Sequence, residues 1–184
     1  MFARLGIPVY DADAAVHRLY GRGGAAVGAI AAAFPGSVVE GSVDRGELMK
    51  RLSGDEAAFK RLESIVHPLV LEARRAFLDE AEKRGDPFVV LDIPLLFEAG
   101  IDKDVDAIIV VSASRHVQRK RVLERPGMSI EKLEAIEARQ VPDSEKRAKA
   151  DFVIETDKGL EQAFGQVKKV AAEIGRHARE KSQR

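Results

Sequence analysis

Short runs of apolar residues alternate along the chain with longer segments in which apolar residues recur at helical spacing. The runs lie at residues 88–92, 107–111 and 152–154, and a shorter one, Val9-Tyr10, precedes an acidic segment. Continuous runs rich in β-branched residues are typical of strands buried on both faces of a parallel sheet. The alternation therefore predicts an α/β fold in which helices connect parallel strands.

The predicted helices have recognisable first and last residues. Pro68 is expected to begin one helix, because the first helical position needs no N–H donor, and Gly85 is expected to end it. Ser114 and Ser129 are expected to be the N-caps of two further helices. The last helix is predicted over residues 159–179. One face of it carries the apolar residues Leu160, Phe164, Val167, Val170, Ala171 and Ile174.

Two segments interrupt the alternation and predict a domain organisation. Residues 21–84 are mostly helical in pattern after a glycine-rich opening, and we expect them to form an inserted substrate lobe. Residues 115–150 are helical and dense in charge, which is typical of a mobile flap over an active site. Residues 1–20 and 85–184 are predicted to form the α/β core, which includes this flap.

The composition narrows the class of protein. Of the 184 residues, 45% are hydrophobic and 33% are charged, as in a globular domain. The 30 basic and 30 acidic side chains give no net charge, which argues against a protein that mainly coats nucleic acid. The absence of cysteine excludes disulfides, a thiol nucleophile and cysteine-based metal sites, and it is compatible with a cytoplasmic location. No apolar run could span a bilayer and residues 1–10 lack a signal-peptide pattern, so no membrane association is expected.

Carboxylates follow two of the predicted strands. Asp11 and Asp13 come directly after Val9-Tyr10, and Asp92 and Glu98 end or follow the run at 88–92. Ligands of open α/β sheets bind at the carboxyl ends of the strands, where carboxylates can hold Mg²⁺ or accept a proton from a hydroxyl. The alternatives are structural: Asp11 and Asp13 also suit a turn with an N-cap, and Asp92 and Glu98 also suit a buried strand end.

Basic residues are concentrated between positions 115 and 125. Arg121 and Arg125 are four residues apart and are predicted to share one helix face, where two guanidinium groups can bind phosphate oxygens. A solvated charged face is the alternative interpretation of such a cluster. His67 precedes Pro68, and by itself it is expected to be a capping or packing residue rather than a ligand.

The order of these segments closely resembles that of the dephospho-coenzyme A kinases. The most specific segments are Asp-Ala-Asp at 11–13 and Pro-Leu-Leu-Phe-Glu at 94–98, and the resemblance extends from about residue 3 to about residue 175. The other matching positions are residues 7–10, 44–45, 65–68, 90–93, 139–140 and 150–154, with Leu48, Gln118, Arg121, Arg125 and Lys146.

The resemblance implies both a fold and an activity. The fold is a P-loop nucleotide-kinase-like parallel sheet with a helical CoA-binding insertion and a helical lid. The activity is ATP-dependent phosphorylation of the 3′-hydroxyl of dephospho-CoA, the last step of coenzyme A biosynthesis. The implied partners are dephospho-CoA and ATP with Mg²⁺, in a cytoplasmic monomer or weak homo-oligomer, with no nucleic acid.

The resemblance also implies roles for single residues. Asp13 would be the base that orients or deprotonates the 3′-hydroxyl, and Asp11 would support it, with either of them holding Mg²⁺. The lid residues that meet the ATP phosphates would be Arg121, Arg125 and, less strongly, Lys146. The acceptor side would be lined by Arg45, His67, Pro94, Leu95 and Glu98.

The chain departs from the family pattern in two places. Thr156 stands where the family usually has Asn after the last strand. The P-loop string Gly-x-x-x-x-Gly-Lys-Ser/Thr, which the family has before Asp-Ala-Asp, occurs nowhere in the 184 residues. The segment before Gly6 is expected to be the last turn of a helix, so we expect Met1 to be an internal methionine of a longer kinase. The sheet would then lack its first strand and expose two strand edges, and this chain alone would have little or no kinase activity.

Two other functions compete with catalysis. The chain could be a non-catalytic remnant that still binds dephospho-CoA or CoA. It could also be an accessory that binds nucleic acid through residues 115–125, although the zero net charge and the 5% of aromatic residues argue against this.

Overall fold

The contacts within the chain divide it into two units. The computed structural model describes residues 1–182. One unit is Pro8–Ile93, called here the 8–93 unit. The other, called the 94–182 unit, contains Met1–Ile7 together with the chain from Pro94 onward. The predicted substrate lobe, residues 21–84, lies within the 8–93 unit, and the predicted lid, residues 115–150, lies within the 94–182 unit.

The 8–93 unit combines a short parallel sheet with helices. Its elements are β1 (Val9–Asp11), α1 (Ala12–Tyr20), α2 (Val27–Ala33), β2 (Val38–Val39), β3 (Ser42–Val43), α3 (Arg45–Leu52), α4 (Glu56–Arg84) and β4 (Val90–Asp92). β1 and β4 pair in parallel, with Val9 opposite Val90 and Asp11 opposite Asp92. Both strands therefore end at the same edge, as their acidic last residues predict.

The core of the 8–93 unit lies among its helices rather than on the sheet. Ile30 of α2 and Leu52 of α3 are fully buried, and Ala26, Phe34, Val43 and Leu48 complete the cluster. Leu62, Ile65 and Leu69 of α4 pack against it. The mostly helical character predicted for residues 21–84 is thus confirmed, apart from one hairpin.

Helix α4 passes through a proline. It runs from Glu56 to Arg84 with Pro68 inside it, so the prediction that Pro68 begins a helix is wrong. An interior proline removes a hydrogen-bond donor and crowds the preceding turn, at about 3 kcal/mol. Apolar residues on both sides of Pro68 are packed against the core, and their burial offsets this penalty. The predicted end is confirmed, because Gly85 adopts the left-handed conformation with φ 72°.

The hairpin of β2 and β3 was not predicted. Its two-residue turn consists of Glu40 with φ 49° and Gly41 with φ 78°. Two successive residues with positive φ are typical of the turn that matches the twist of a tight hairpin.

The 94–182 unit contains the second parallel pair. Its elements are 3₁₀ helices at Phe2–Leu5 and Ile101–Asp104, then β5 (Ile109–Ser112), α5 (Arg115–Leu123), α6 (Ile130–Glu137), α7 (Asp143–Lys149), β6 (Phe152–Glu155) and α8 (Leu160–Ser182). β5 and β6 are parallel, with Ile109 opposite Phe152 and Ser112 opposite Glu155. Among residues 1–182, the four parallel strands form two separate pairs, so β4 and β5 each have one hydrogen-bonded neighbour.

Helix α8 covers β6 with the predicted apolar face. Ile154 packs with Ala163, Val167 and Val170 in the core of this unit. Leu160 is the exception: it is 76% exposed, because the helix meets the sheet only from Ala163 onward. The turn before Gly6 forms as predicted, as a 3₁₀ helix that ends in the left-handed conformation. None of the helices formed by residues 1–182 combines the length and apolar character that a membrane span requires.

Candidate active site

Asp11 and Asp92 face each other at the carboxyl end of the β1–β4 pair, and Asp13 follows in the first turn of α1. The Oδ1 atom of Asp11 accepts a hydrogen bond of 2.8 Å from the backbone N–H of Ala14. Asp11 therefore is the N-cap of α1, as one of its two interpretations predicted. Asp13 is exposed, and its carboxylate has no hydrogen-bond or ion-pair partner within the described part of the chain. Asp92 likewise has no such partner among residues 1–182, so Asp13 and Asp92 both have oxygens available to a ligand, and Asp13 is the one carried by α1.

The three carboxylates repel one another. Partial burial raises the pKa of Asp92, and the negative charges of Asp11 and Asp13 raise it further. An edge of this kind favours whatever reduces its negative charge, either a proton or a cation. Within residues 1–182 no group of three or more His, Cys, Asp or Glu side chains is arranged to hold a metal ion by itself. Mg²⁺ usually takes only one or two carboxylates plus substrate phosphates, and one or two carboxylates of this edge fit that requirement.

Glu98 and Lys146 bind each other in the 94–182 unit. The Nζ atom of Lys146 lies 2.8 Å from Oε1 of Glu98, and their side chains are only 18% and 16% exposed. The same carboxylate oxygen accepts the backbone N–H of Val141 at 2.9 Å, whereas Oε2 of Glu98 is buried without a partner. Burial acts to raise the pKa of Glu98, but these hydrogen bonds outweigh it and hold the pKa below its ordinary value. The resemblance implies that Lys146 meets the ATP phosphates and that Glu98 lines the acceptor side, whereas the structure pairs the two residues with each other.

Arg121 is anchored on the loop after β6. Its guanidinium donates to Oγ1 of Thr156 at 2.9 Å and to the carbonyl oxygen of Thr156 at 2.8 Å. The Thr156 hydroxyl in turn donates to the carbonyl oxygen of Ser112 at 3.0 Å. Thr156, which departs from the family pattern, thus orients Arg121 at the carboxyl end of β5.

Arg125 does not share a helix face with Arg121, contrary to the prediction. Helix α5 ends at Leu123 with Glu124 as its C-cap. The reason is Pro126, because a residue that precedes proline is disfavoured in the helical conformation. Arg125 is exposed, and its guanidinium has no partner within residues 1–182.

A family model described as dephospho-CoA kinase matches residues 1–162. The chain belongs to the dephospho-CoA kinase family. The dephospho-CoA kinase of Mesorhizobium japonicum is 55% identical over 174 residues, which cover 95% of this chain and 87% of that one. The dephospho-CoA kinase of Novosphingobium aromaticivorans is 53% identical over 184 residues, covering 100% of this chain and 89% of that one. The resemblance stated above, and with it the enzyme class of a kinase, is confirmed.

Solved structures confirm the fold class. A crystal structure of a Thermus thermophilus protein is 35% identical with a TM-score of 0.76, and it covers 94% of this chain and 87% of that one. The dephospho-CoA kinase from Campylobacter jejuni is 25% identical with a TM-score of 0.70, and the match covers 95% of this chain and 88% of that one. The α/β fold of a dephospho-CoA kinase is therefore the fold of this chain.

The remaining residues expected on the acceptor side of a dephospho-CoA kinase belong to both units. Arg45 is the first residue of α3, and its guanidinium lies over the ring of Tyr20 at 5.5 Å. His67 is exposed inside α4, and Pro94 and Leu95 lie in the turns after β4, where Leu95 is 48% exposed. Arg45 and His67 belong to the 8–93 unit, and Pro94 and Leu95 belong to the 94–182 unit.

The sequence did not predict the cavity that lies at the carboxyl ends of β5 and β6. Its volume is about 350 Å³, and Ser114, Asp143, Arg147 and Asp157 are among its lining residues. Both oxygens of the Asp157 carboxylate accept the backbone N–H of Ser114, at 2.9 and 3.1 Å, and Oδ1 also accepts its hydroxyl at 2.7 Å. Ser114 is therefore the N-cap residue as predicted, but its hydroxyl does not cap the helix. Asp157, the acidic residue after the last strand, is the sequence signal that could have indicated this cavity.

Proposed function

We propose that this chain receives dephospho-CoA and helps to transfer the γ-phosphoryl group of ATP to its 3′-hydroxyl, the last step of coenzyme A biosynthesis. Family membership supports the reaction, and the free Asp13 carboxylate at the β1–β4 edge is the observation that carries it. Phosphoryl transfer depends chiefly on positioning and charge neutralisation, and the chain offers groups for both.

Asp13 is the base of this proposal. Its free carboxylate accepts a hydrogen bond from the 3′-hydroxyl and receives the proton as the hydroxyl oxygen bonds to phosphorus and the bond to the leaving ADP breaks. One oxygen of Asp11 is committed to Ala14, so Asp11 fixes the start of α1 and thereby the direction of Asp13.

Mg²⁺ accompanies ATP in this proposal. Asp11 or Asp13 would hold it together with phosphate oxygens of the nucleotide. When bound, the ion neutralises negative charge on the phosphates.

The basic residues of the 94–182 unit serve the donor nucleotide in different ways. Arg125 has an unengaged guanidinium that can bind phosphate oxygens in the bidentate manner of arginine. Arg121 is positioned by Thr156, which leaves its remaining N–H donors for the nucleotide. Lys146 is bound to Glu98, whose carboxylate offsets its charge, so it serves a phosphate less strongly than Arg125 does.

We further propose that the 184 residues do not contain the phosphate cradle of the reaction. The absence of Gly-x-x-x-x-Gly-Lys-Ser/Thr supports this, because the backbone N–H groups and the lysine of that loop both bind and orient the γ-phosphate. The chain alone is then expected to have little or no kinase activity. It retains the acceptor side, which favours a non-catalytic protein that binds dephospho-CoA as the second candidate function.

The test measures phosphorylation of dephospho-CoA by the 184-residue chain and by a version extended with the P-loop segment of a relative. The extended version is expected to be active, and Asp13→Asn in it is expected to lower kcat at least about a hundredfold, as for loss of a general base. Asp79→Asn, at an exposed position of α4, is the matched control and should leave kcat unchanged. Full activity of the unextended chain contradicts the missing cradle, and full activity of Asp13→Asn contradicts the base.

A further inference from the structure

Asp157 holds the residue that precedes the helix carrying Arg121. Its carboxylate accepts the backbone N–H of Ser114 with both oxygens and the Ser114 hydroxyl at 2.7 Å, and α5 begins at the next residue, Arg115. These contacts join the loop after β6 to the loop after β5 across 43 residues of sequence. The Ser114 donors, with the positive charge of Arg121, hold the pKa of Asp157 below its ordinary value, so Asp157 is ionised at neutral pH.

The Ser114 hydroxyl is used for this contact instead of for the helix. A serine at the N-cap ordinarily accepts a backbone N–H of the first turn, which stabilises a helix by about 1 kcal/mol. In α5 the Ser114 side chain makes no such bond, because it donates to Asp157. The contact therefore replaces a local helix cap with a bond to a distant part of the chain, and this bond fixes where α5 begins.

Thr156 and Asp157 together hold α5 at two points. Thr156 binds the guanidinium of Arg121, and Asp157 binds Ser114, seven residues earlier in the chain. At 1.5 Å per residue the two points are about 10 Å apart along the helix. A helix held at one point can still tilt about it, whereas a second point fixes its direction. Asp157 therefore sets the direction of α5, which Thr156 alone would not.

The loop that provides both contacts is itself fixed. The backbone N–H of Thr156 donates to the carbonyl oxygen of Ser112 at 2.9 Å. One residue earlier, the side chain of Gln166 in α8 accepts the N–H of Glu155 at 3.0 Å and donates to the Glu155 carbonyl oxygen at 2.9 Å. The end of β6 is thus bound to β5 and to α8, so it is a firm support for α5.

The charged side chains around the cavity beside Ser114 and Asp157 are engaged within the 94–182 unit. The other pairs are Arg115 with Glu137, Arg147 with Glu155, and Asp143 with the hydroxyl of Ser112. A charged ligand would have to displace one of these partners. The arrangement is therefore suited to holding α5 in place rather than to binding a ligand in the cavity.

We propose that Asp157 is a positioning residue of the kinase reaction, which acts through Arg121 by fixing the start of α5. This inference rests on the proposed function, in which Arg121 offers its remaining N–H donors to the nucleotide. The negative charge of Asp157 by itself disfavours a nearby phosphate. Loss of the carboxylate therefore weakens ATP binding if Asp157 positions Arg121, and strengthens ATP binding if only its charge matters.

The test measures the KM for ATP of the version extended with the P-loop segment. Asp157→Ala is expected to raise this KM roughly tenfold, as for loss of one charged hydrogen bond, and to leave the KM for dephospho-CoA unchanged. Asp157→Asn keeps one oxygen for the Ser114 N–H and hydroxyl, so it should retain most of the wild-type affinity. In a chain that already carries Arg121→Gln, Asp157→Ala should raise the KM for ATP no further.

Asp151→Ala is the matched control. The Asp151 carboxylate accepts the backbone N–H of Ile108 at 2.7 Å, again across 43 residues, but beside the amino ends of β5 and β6. Its loss should lower the free energy of unfolding and leave both KM values unchanged. In the 184-residue chain, amide hydrogen exchange of Ser114 and of residues 118–121 should become faster in Asp157→Ala and not in Asp151→Ala.

The outcomes separate this inference from the proposed function. In an active extended chain, an unchanged or lower KM for ATP in Asp157→Ala overturns the positioning role. So does an equal rise in the Arg121→Gln background or in Asp151→Ala, and so does unchanged hydrogen exchange of α5 in Asp157→Ala. If the extended wild-type chain transfers no phosphate, the proposed function itself fails and the positioning role falls with it.

Discussion

Glu98 and Lys146 form an ion pair of 2.8 Å in which both side chains are largely shielded from water, and Glu98 also holds the backbone of Val141. The pair therefore joins the turn after β4 to helix α7 and to the segment that precedes it. The contact engages the charged groups of both residues. Its first role is to fix the position of α7.

Removing one partner of this pair is expected to cost more than removing both. Glu98→Ala leaves a largely buried ammonium group without its counter-charge and should lower the free energy of unfolding by about 1–3 kcal/mol. The double variant Glu98→Ala/Lys146→Met should lose less than the sum of the two single variants. Urea denaturation of the four proteins measures this. Additive losses would contradict the coupling.

The stability of the chain is also expected to depend on Glu98 at acid pH. Since the pKa of Glu98 is lowered in the folded chain, the unfolded chain takes up the proton more readily. The contribution of Glu98 is thus complete above the ordinary glutamate pKa of about 4.3 and is lost as pH falls through the lower folded value. Unfolding free energies measured from pH 6 down to pH 3 should fall less steeply in Glu98→Gln than in the wild-type chain. Parallel curves would show that Glu98 does not contribute.

Asp92 is expected to have the opposite effect on the pH dependence of folding stability. Its pKa is raised by partial burial and by Asp11 and Asp13, so ionised Asp92 destabilises the folded chain above its folded pKa. Asp92→Asn should therefore raise the free energy of unfolding at pH 7, by less than about 1 kcal/mol because the edge is accessible to solvent. The gain should vanish at pH 3, where both states are protonated. Thermal unfolding at the two pH values tests this, with Asp79→Asn as the control that should show no gain.

The hydroxyl of Thr156 supplies one of the two contacts that anchor Arg121. Thr156→Val keeps the shape of the side chain but removes the hydroxyl contacts to Arg121 and to the Ser112 carbonyl, while the contact of Arg121 to the Thr156 carbonyl oxygen remains, and it should cost about 1 kcal/mol of stability. Thr156→Ser keeps the hydroxyl and should therefore retain most of this stability. If Arg121 serves the nucleotide, the KM for ATP of the extended chain should rise in the valine variant and not in the serine variant. An equal KM in both would separate Arg121 from nucleotide binding.

Pro68 should be a site of stabilisation. Pro68→Ala restores a backbone donor inside α4 and is expected to raise the free energy of unfolding by about 1–3 kcal/mol, the interior penalty of proline less its benefit in the unfolded chain. Glu72→Ala, at an exposed position of the same helix, is the control for helix propensity. A loss of stability in Pro68→Ala would show that the proline packs favourably where it lies.

Local signals in the sequence predicted the elements that depend on neighbouring residues. The strand β6, the left-handed glycines Gly6 and Gly85 and the cap at Ser129 all follow from the residues beside them. The start of α4 was misjudged because the same signal, a proline, marks either a first turn or a tolerated interior position. Packing against the 8–93 core decides between these, and no local pattern reports it.

The candidate site also contains some features that neighbouring residues predict and others that depend on residues far away in the sequence. The placement of Asp11 and Asp13 at a strand end was predictable, because it depends on a strand and helix that adjoin them. The partners of Glu98, Arg121 and Ser114 lie 35 or more residues away, and spacing along the chain contains no information about them. A cavity of about 430 Å³ beside α1 was missed for a related reason, since the unpredicted β2–β3 hairpin supplies one of its walls.

Asp11 belongs to two structures at once, since it is the last residue of β1 and the cap of α1. The register of the three-residue pairing between β1 and β4 therefore reaches, through one hydrogen bond, the helix that carries Asp13. Any slip of β1 along β4 would displace the start of α1 and the Asp13 carboxylate with it. The precision with which Asp13 is placed therefore depends on a single strand pairing.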